Sequence, residues 1–197
     1  MKEYTPKTFT LPALDGISTK SVEEHIGLYQ AYVKNFNAMT TLIGELHSDS
    51  AKNGIAIAEL VRRRSFEWGG MRLHELYFSQ WEAGAVLPST DSAFAQAVAA
   101  QYGTLDTLVA QLKQTGMMRG PGWSLLYFDK ASGEFHIGFS GEQHIGHFAD
   151  LPIILALDVW EHAFLLDYGA AGKAKYIDAF FKNLNWSVVE KRFSAVA

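Results

Sequence analysis

The segment Leu157 to Tyr168, LDVWEHAFLLDY, is mostly apolar yet carries Asp158, Glu161, His162 and Asp167. Burying a carboxylate or an imidazole is costly unless the group is paired or binds a metal. Asp158 and His162 stand four residues apart. On a helix, that spacing would set both on one face, one turn apart. A carboxylate oxygen and a neutral imidazole nitrogen together suit a divalent or trivalent first-row metal. Taken alone, the pair equally describes an acid at a helix start beside a satisfied core histidine. Two more histidines shift that balance. His25 lies in EEHIGLYQAYVKN and His74 in GGMRLHELYF, each among apolar neighbours. Either one by itself reads as a core histidine, but three histidines and an aspartate in such settings are hard to explain as packing. His47, among serines and aspartates, reads as surface. His136 lies on a strand that could face either way.

Composition narrows the chemistry. The 197 residues contain no cysteine, so disulfides, thiolate metal sites, iron–sulfur clusters and cysteine nucleophiles are excluded. The chain is 48% hydrophobic and 19% charged, enough to bury a core. Its net charge of −4 lacks the basic surplus of a general nucleic-acid binder, so no nucleic-acid partner is expected. The first residues, MKEYTPKTFTLP, do not read as a secretory signal, and no run of 18 apolar residues suggests a membrane span. A cytoplasmic protein is the expectation.

The elements that must position these residues follow from periodicity. Residues 1–18 read as an extended arm. Ser18 or Ser21 could cap a helix running to Leu46, with Val22, Leu28, Tyr29, Tyr32, Phe36 and Met39 at helical spacing. A second long helix is predicted from Gly54 to Trp81, completing a helical hairpin. GAVLPST at 84–90 breaks the pattern. Helices near 91–101 and 104–115 follow, then two strands around DKASGE and a third at 151–157. Helices near 159–167, 172–182 and 186–194 end the chain. The predicted fold is α+β: an N-terminal helical hairpin at 1–86, then a mixed part at 87–197 with a small three-stranded antiparallel sheet and flanking helices. The metal site would lie between the two.

These segments resemble the iron/manganese superoxide dismutase family. Asp158-Val159-Trp160-Glu161-His162-Ala163 followed by an aromatic is similar to its signature. Other blocks agree in order: Leu11-Pro12, Ile17-Ser18 and Glu23-Glu24-His25; Tyr32-Val33-Lys34-Asn35; Gly69-Gly70 before His74; Gly120-Pro121-Gly122-Trp123; Tyr176-Ile177-Asp178-Ala179-Phe180; and Asn185-Trp186. The resemblance spans about residues 10–190. It implies disproportionation of superoxide to dioxygen and hydrogen peroxide at one mononuclear iron per chain, with manganese, or either metal, as the alternative. The implied ligands are His25, His74, Asp158 and His162, the same four that the chemistry singles out. Zinc could not serve, because it has no redox change.

Tyr32 follows His25 by seven residues, about two helical turns, so both face the same way. By itself it reads as a core tyrosine; the resemblance makes it a phenol beside the metal. Trp123 and Trp160 are expected to wall the site. The resemblance further implies that Glu161 reaches across a dimer interface to His162 of a second copy, giving a homodimer or tetramer. Lys173 aligns with a frequent arginine, and Arg62, Arg63 and Arg64 read as a solvated helix face.

The chain departs from the family pattern in three places. Most members have one residue more between the first ligand and the tyrosine, which needs a π-bulge to stay in phase; the spacing here predicts a plain helix. A family histidine–tyrosine pair is absent, with Leu28-Tyr29 and Leu165 at the aligned positions. Iron-type members often place a glutamine where this chain has Gly70, so the residue that hydrogen-bonds the metal's solvent must come from GEQHIGH. His144 is the first candidate, then Gln143, then His147. The alternatives to a dismutase are a mononuclear hydrolase, disfavoured by apolar surroundings, and a redox-silent metal-binding homologue, which the missing pair would favour.

Overall fold

The computed structural model describes residues 3–197. Helix α1 spans Thr19–Leu46 and α2 Ser50–Ser79, joined by a 3₁₀ turn at His47–Asp49. Ser18, not Ser21, caps α1: its hydroxyl accepts the Ser21 N–H at 3.1 Å. Asp49 caps α2 by accepting from the Lys52 N–H, so α2 begins at Ser50 rather than at Gly54. It ends at Ser79, two residues before the predicted Trp81, and residues 80–83 form a turn. Helix α1 is α-helical throughout, without a π-turn, as its spacing predicts. No helix of the described residues is long and apolar enough to cross a membrane.

Helices α3 (Ala93–Tyr102) and α4 (Leu105–Gly116) lead into a three-stranded antiparallel sheet of β1 (Trp123–Asp129), β2 (Glu134–Ser140) and β3 (Ile153–Asp158). Its order is β2-β1-β3, with β1 central and buried from Trp123 to Phe128. The register sets Trp123 opposite Asp158, placing two sequence-predicted site residues side by side. A 3₁₀ turn at Glu161–Ala163, then α5 (Leu165–Tyr168), α6 (Lys173–Lys182) and α7 (Trp186–Ser194), complete the α+β fold.

The helix predicted over 159–167 is the main difference. Asp158 ends β3, and His162 sits in the 3₁₀ turn, so they do not share a helical face. The cause is local. Asp158 Oδ1 accepts the Trp160 N–H at 2.8 Å, an Asx-type turn that stops the strand and leaves Trp160 extended. The pair still meets, but through that turn.

One buried amide ties the helical hairpin to the sheet. Gln80 donates through Nε2 to the Ala156 carbonyl and accepts the Ala156 N–H through Oε1, both at 2.8 Å. Arg192 of α7 donates to Gln80 Oε1 and to the Ile154 and Leu76 carbonyls. These bonds satisfy polar groups that the core would otherwise strand. They also hold α2, which carries His74, against β3, which carries Asp158. One continuous core surrounds them, with Trp81, Trp123, Tyr77, Phe78 and Phe180 fully buried.

Candidate metal centre

Four side chains from four elements converge. His25 comes from α1, His74 from α2, Asp158 from the end of β3 and His162 from the following 3₁₀ turn. One donor atom from each lies within 4.8 Å of all the others. Asp158 Oδ2 stands at the centre, 3.2 Å from His25 Nε2, 3.6 Å from His74 Nε2 and 3.1 Å from His162 Nε2. Of these three contacts only that of His162 is aligned as a hydrogen bond. His25 Nε2 and His74 Nε2 are buried and have no aligned partner among the described residues. Buried imidazole nitrogens rarely stay unpaired, and this donor set fits a first-row transition metal.

His74 and His25 are prepared as neutral ligands. His74 Nδ1 lies 2.6 Å from the Gly70 carbonyl one turn back, which accepts its proton and leaves Nε2 a free lone pair. Burial, with His25 beside it, lowers the His74 pKa to about 3. Burial also lowers that of His25, although Asp158 offsets part of the effect. Burial alone would raise the Asp158 carboxyl, but His162 and His25 outweigh it and hold the group below the usual carboxylate range. The Asp158 backbone carbonyl accepts from the Tyr176 hydroxyl at 2.8 Å, and Tyr176 is in turn 2.9 Å from the Tyr77 hydroxyl.

Aromatic rings wall the cluster. Trp123 meets His74 edge-on at 5.2 Å, and Trp160 lies nearly parallel to His162 at 5.9 Å. Tyr32 packs 5.2 Å from the His74 ring. Its hydroxyl accepts from Gln143 Nε2 at 3.2 Å, while Gln143 Oε1 accepts from Trp123 Nε1 at 3.0 Å. Trp123 can only donate, so it fixes which end of the amide faces Tyr32. Burial and the charges of Asp158 and Glu67 push the Tyr32 phenol well above its ordinary value, so it is protonated at neutral pH.

Of the three candidates in GEQHIGH, Gln143 is the one hydrogen-bonded to Tyr32 and Trp123, and His144 is not. Gln143 is fully buried, whereas the His144 ring packs edge-on against Phe66 at 5.7 Å. His147 turns away, with Nδ1 at 2.9 Å from the Tyr127 hydroxyl. The backbone at Gly69 and Gly70 makes the approach feasible. A Cβ on Gly69 would lie 1.8 Å from the Gln143 carbonyl oxygen, and one on Gly70 2.5 Å from the Tyr32 ring.

Glu161 is exposed, as are Leu165 and Leu166 beside it. Tyr29, aligned with the missing histidine pair, is fully buried. Its hydroxyl accepts the Lys7 N–H at 2.8 Å and donates to Glu75 at 3.3 Å, pinning the N-terminal arm to the hairpin. Lys173 Nζ donates to the Met118 carbonyl at 2.7 Å and reaches the Gly120 carbonyl at 3.5 Å, bracing the Gly-rich segment before Trp123. The Arg62–Arg64 cluster is not one solvated face. Arg62 pairs with Glu59, Arg63 lies over Phe66, and Arg64 lies over Phe36. Phe66, which sequence reasoning passed over, packs on Tyr32 at 5.9 Å and Trp160 at 6.4 Å. A cavity of about 780 Å³ runs along α2, lined by Tyr4, Trp68, Arg72 and His144 among others, and touches none of the four convergent residues.

The family profile described as "Iron/manganese superoxide dismutases, C-terminal domain" matches residues 90–192. The chain is 31% identical over 194 residues to a protein named "Superoxide dismutase [Fe]" from Aquifex pyrophilus, covering 95% of this chain and 90% of that one. It is 32% identical to the protein of the same name from Cupriavidus metallidurans, covering 92% and 91%. It is 29% identical to "Superoxide dismutase [Mn], mitochondrial" from Glossina morsitans morsitans, covering 90% and 82%.

Proposed function

The chain belongs to the iron/manganese superoxide dismutase family, and from that premise we propose that His25, His74, Asp158 and His162 hold the ion with which it works. It is an oxidoreductase that converts two superoxide ions and two protons to dioxygen and hydrogen peroxide, with iron or manganese as its metal. The observation that carries the ligand set is the convergence of three Nε2 atoms on Asp158 Oδ2, two of them buried and without an aligned partner.

When bound, the ion supplies a one-electron couple that one superoxide reduces and the next reoxidises. The surrounding residues supply charge balance, exclusion and protons. Asp158 contributes the single negative charge, and three neutral imidazoles leave the lower oxidation state accessible. Trp123, Trp160 and Phe66 keep the site narrow and dry, which strengthens local electrostatics and admits only a small substrate. Tyr32 accepts its hydrogen bond from Gln143, so its own O–H proton is left to be given to reduced substrate. Gln143, oriented by Trp123, hydrogen-bonds into the site and tunes it.

The same proposal takes Glu161, Leu165 and Leu166 as part of an interface with a second copy, in a homodimer or tetramer. Their exposure next to His162 supports it. Sedimentation of the wild type and of Glu161→Ala tests it: a monomeric wild type would exclude it. A cytoplasmic location belongs to the same reading and is tested by cell fractionation.

The central test pairs elemental analysis with superoxide consumption on one purified sample. Iron or manganese near one per chain, with activity tracking that metal, is expected. Stoichiometric metal without turnover would instead mark a redox-silent relative.

A further inference from the structure

Gln143 reaches the metal centre from the loop between β2 and β3, a segment with no helix or strand of its own at residues 141–147. Its side-chain amide is fixed at both ends, by Trp123 and by Tyr32. Its backbone needs a separate anchor, because any shift of the main chain carries the amide with it. One part of that anchor is steric: the Gln143 carbonyl rests against α2 where Gly69 has no side chain. The other part is His147, which takes no direct place in the metal centre.

His147 Nε2 lies 3.1 Å from the Gln143 carbonyl oxygen and 3.3 Å from Ser140 Oγ, while Nδ1 lies 2.9 Å from the Tyr127 hydroxyl. A carbonyl can only accept, so Nε2 carries a proton. The single Ser140 hydroxyl proton is already committed, with Oγ at 2.6 Å from the Glu142 carbonyl and 2.7 Å from that of Ile145. Toward His147, Ser140 is therefore also an acceptor. In the neutral ring Nδ1 is then the bare nitrogen, and Tyr127 donates to it. Burial pushes the Tyr127 phenol up to about 12, which keeps that donor proton in place. Tyr127 is buried on the central strand β1, and Ser140 is buried at the end of β2. The imidazole thus ties the loop to the sheet, and the atom it holds belongs to Gln143.

We propose that His147 is a positioning residue for the dismutase reaction: fixed by Tyr127 as the Nε2–H tautomer, it holds the Gln143 carbonyl and so sets where the Gln143 amide meets Tyr32. This rests on the dismutase reading above. A role in stability alone would leave the metal's potential and the turnover per metal unchanged in a folded, loaded variant. A positioning role changes both, and does so through Gln143.

Two measurements test it, with metal content and thermal midpoint recorded for every sample. Long-range 15N–1H spectra of the metal-free chain read the tautomer, with His147→Phe assigning the signal; Nε2–H is expected, and Nδ1–H would overturn the proposal. Turnover per metal and midpoint potential are then compared for His147→Phe, His147→Gln, Gln143→Ala and the double variant Gln143→Ala/His147→Phe. His147→Phe should lower turnover by roughly threefold to tenfold, less than loss of a group that orients the site directly, and shift the potential in the same direction as Gln143→Ala. His147→Gln, which keeps an N–H donor and an acceptor, should stay within about twofold of the wild type. In the Gln143→Ala background, His147→Phe should change turnover by less than about 1.5-fold, because the two residues act on one step. Full additivity, an unshifted potential, or equal losses in His147→Gln and His147→Phe would each overturn the proposal. Should His147→Phe not fold, Tyr127→Phe carries the test: it leaves the donor but loosens the ring, so a smaller potential shift of the same sign is expected, and no shift would overturn the proposal. An inactive, metal-loaded wild type would instead overturn the dismutase reading, and the tautomer and the potentials would still decide whether His147 acts through Gln143.

Discussion

Gln143 Nε2 donates to the Tyr32 hydroxyl at 3.2 Å, joining residues 111 positions apart in the chain. Removing that amide leaves a buried Trp123 N–H and a Tyr32 hydroxyl without their partner. Gln143→Ala should therefore reduce turnover by about 10–100-fold while the metal is retained, the range typical when a group orienting a metal site is lost. His144→Ala should cost much less, because its ring packs on Phe66 instead of joining the network. Steady-state rates per bound metal check both; equal losses would show that the network does not distinguish the two.

His74 and Asp158 are both fully buried, and each offers one atom to the convergent set. His74→Ala and Asp158→Ala should each leave less than about a tenth of the wild-type metal after dialysis, with activity falling in parallel. Metal analysis of the folded variants is the measurement. Full metal retention in His74→Ala would remove it from the ligand set.

Stability of the metal-free chain should fall on acidification below pH 6.5. His74 titrates near 6.5 when unfolded and about 3 when folded, and His25 is lowered in the same direction. Between those values the unfolded chain binds protons that the folded chain does not, so lowering the pH favours unfolding. Asp158, also lowered, contributes stability above its unfolded pKa that is lost as pH falls through its folded one; the sign agrees. The loss from His74 alone is about 2 kcal/mol between pH 7.5 and pH 5. Denaturant titration of the metal-free protein at both values checks it, and a flat profile would contradict the neutral-ligand assignment.

The four convergent residues were legible because their chemistry clashes with their setting: histidines and an aspartate in apolar segments ask for a partner. The long helices and the sheet were legible from their periods. What failed was the short stretch after Asp158. There the 3.6-residue pattern in LDVWEHAFLLDY is overridden by one side-chain bond, Asp158 to the Trp160 N–H. Helical spacing and an Asx turn both bring Asp158 and His162 together, so the two side chains meet as expected but not on a helical face. The choice among Gln143, His144 and His147 was closed to sequence for another reason. In an irregular loop, burial of one side chain and exposure of the next depend on packing against α2. The three consecutive arginines likewise look alike in sequence and separate only when Phe66, Phe36 and Glu59 are placed around them.

That packing against α2 is itself testable at Gly69 and Gly70. A methyl group on Gly69 would lie 1.8 Å from the Gln143 carbonyl oxygen, a backbone atom that cannot swing aside. On Gly70 it would meet the Tyr32 ring at 2.5–2.7 Å. Helix propensity alone favours alanine at both positions by about 1 kcal/mol. Overpacking should outweigh this, with Gly69→Ala destabilising by about 1–3 kcal/mol and displacing Gln143. Gly70→Ala should have the smaller effect on stability and the larger on the Tyr32 position, because a ring at a helix face can tilt where a loop backbone cannot. Thermal midpoints and turnover, measured together, separate the two. An alanine that stabilises at Gly69 would mean that the 141–147 loop does not rest on α2.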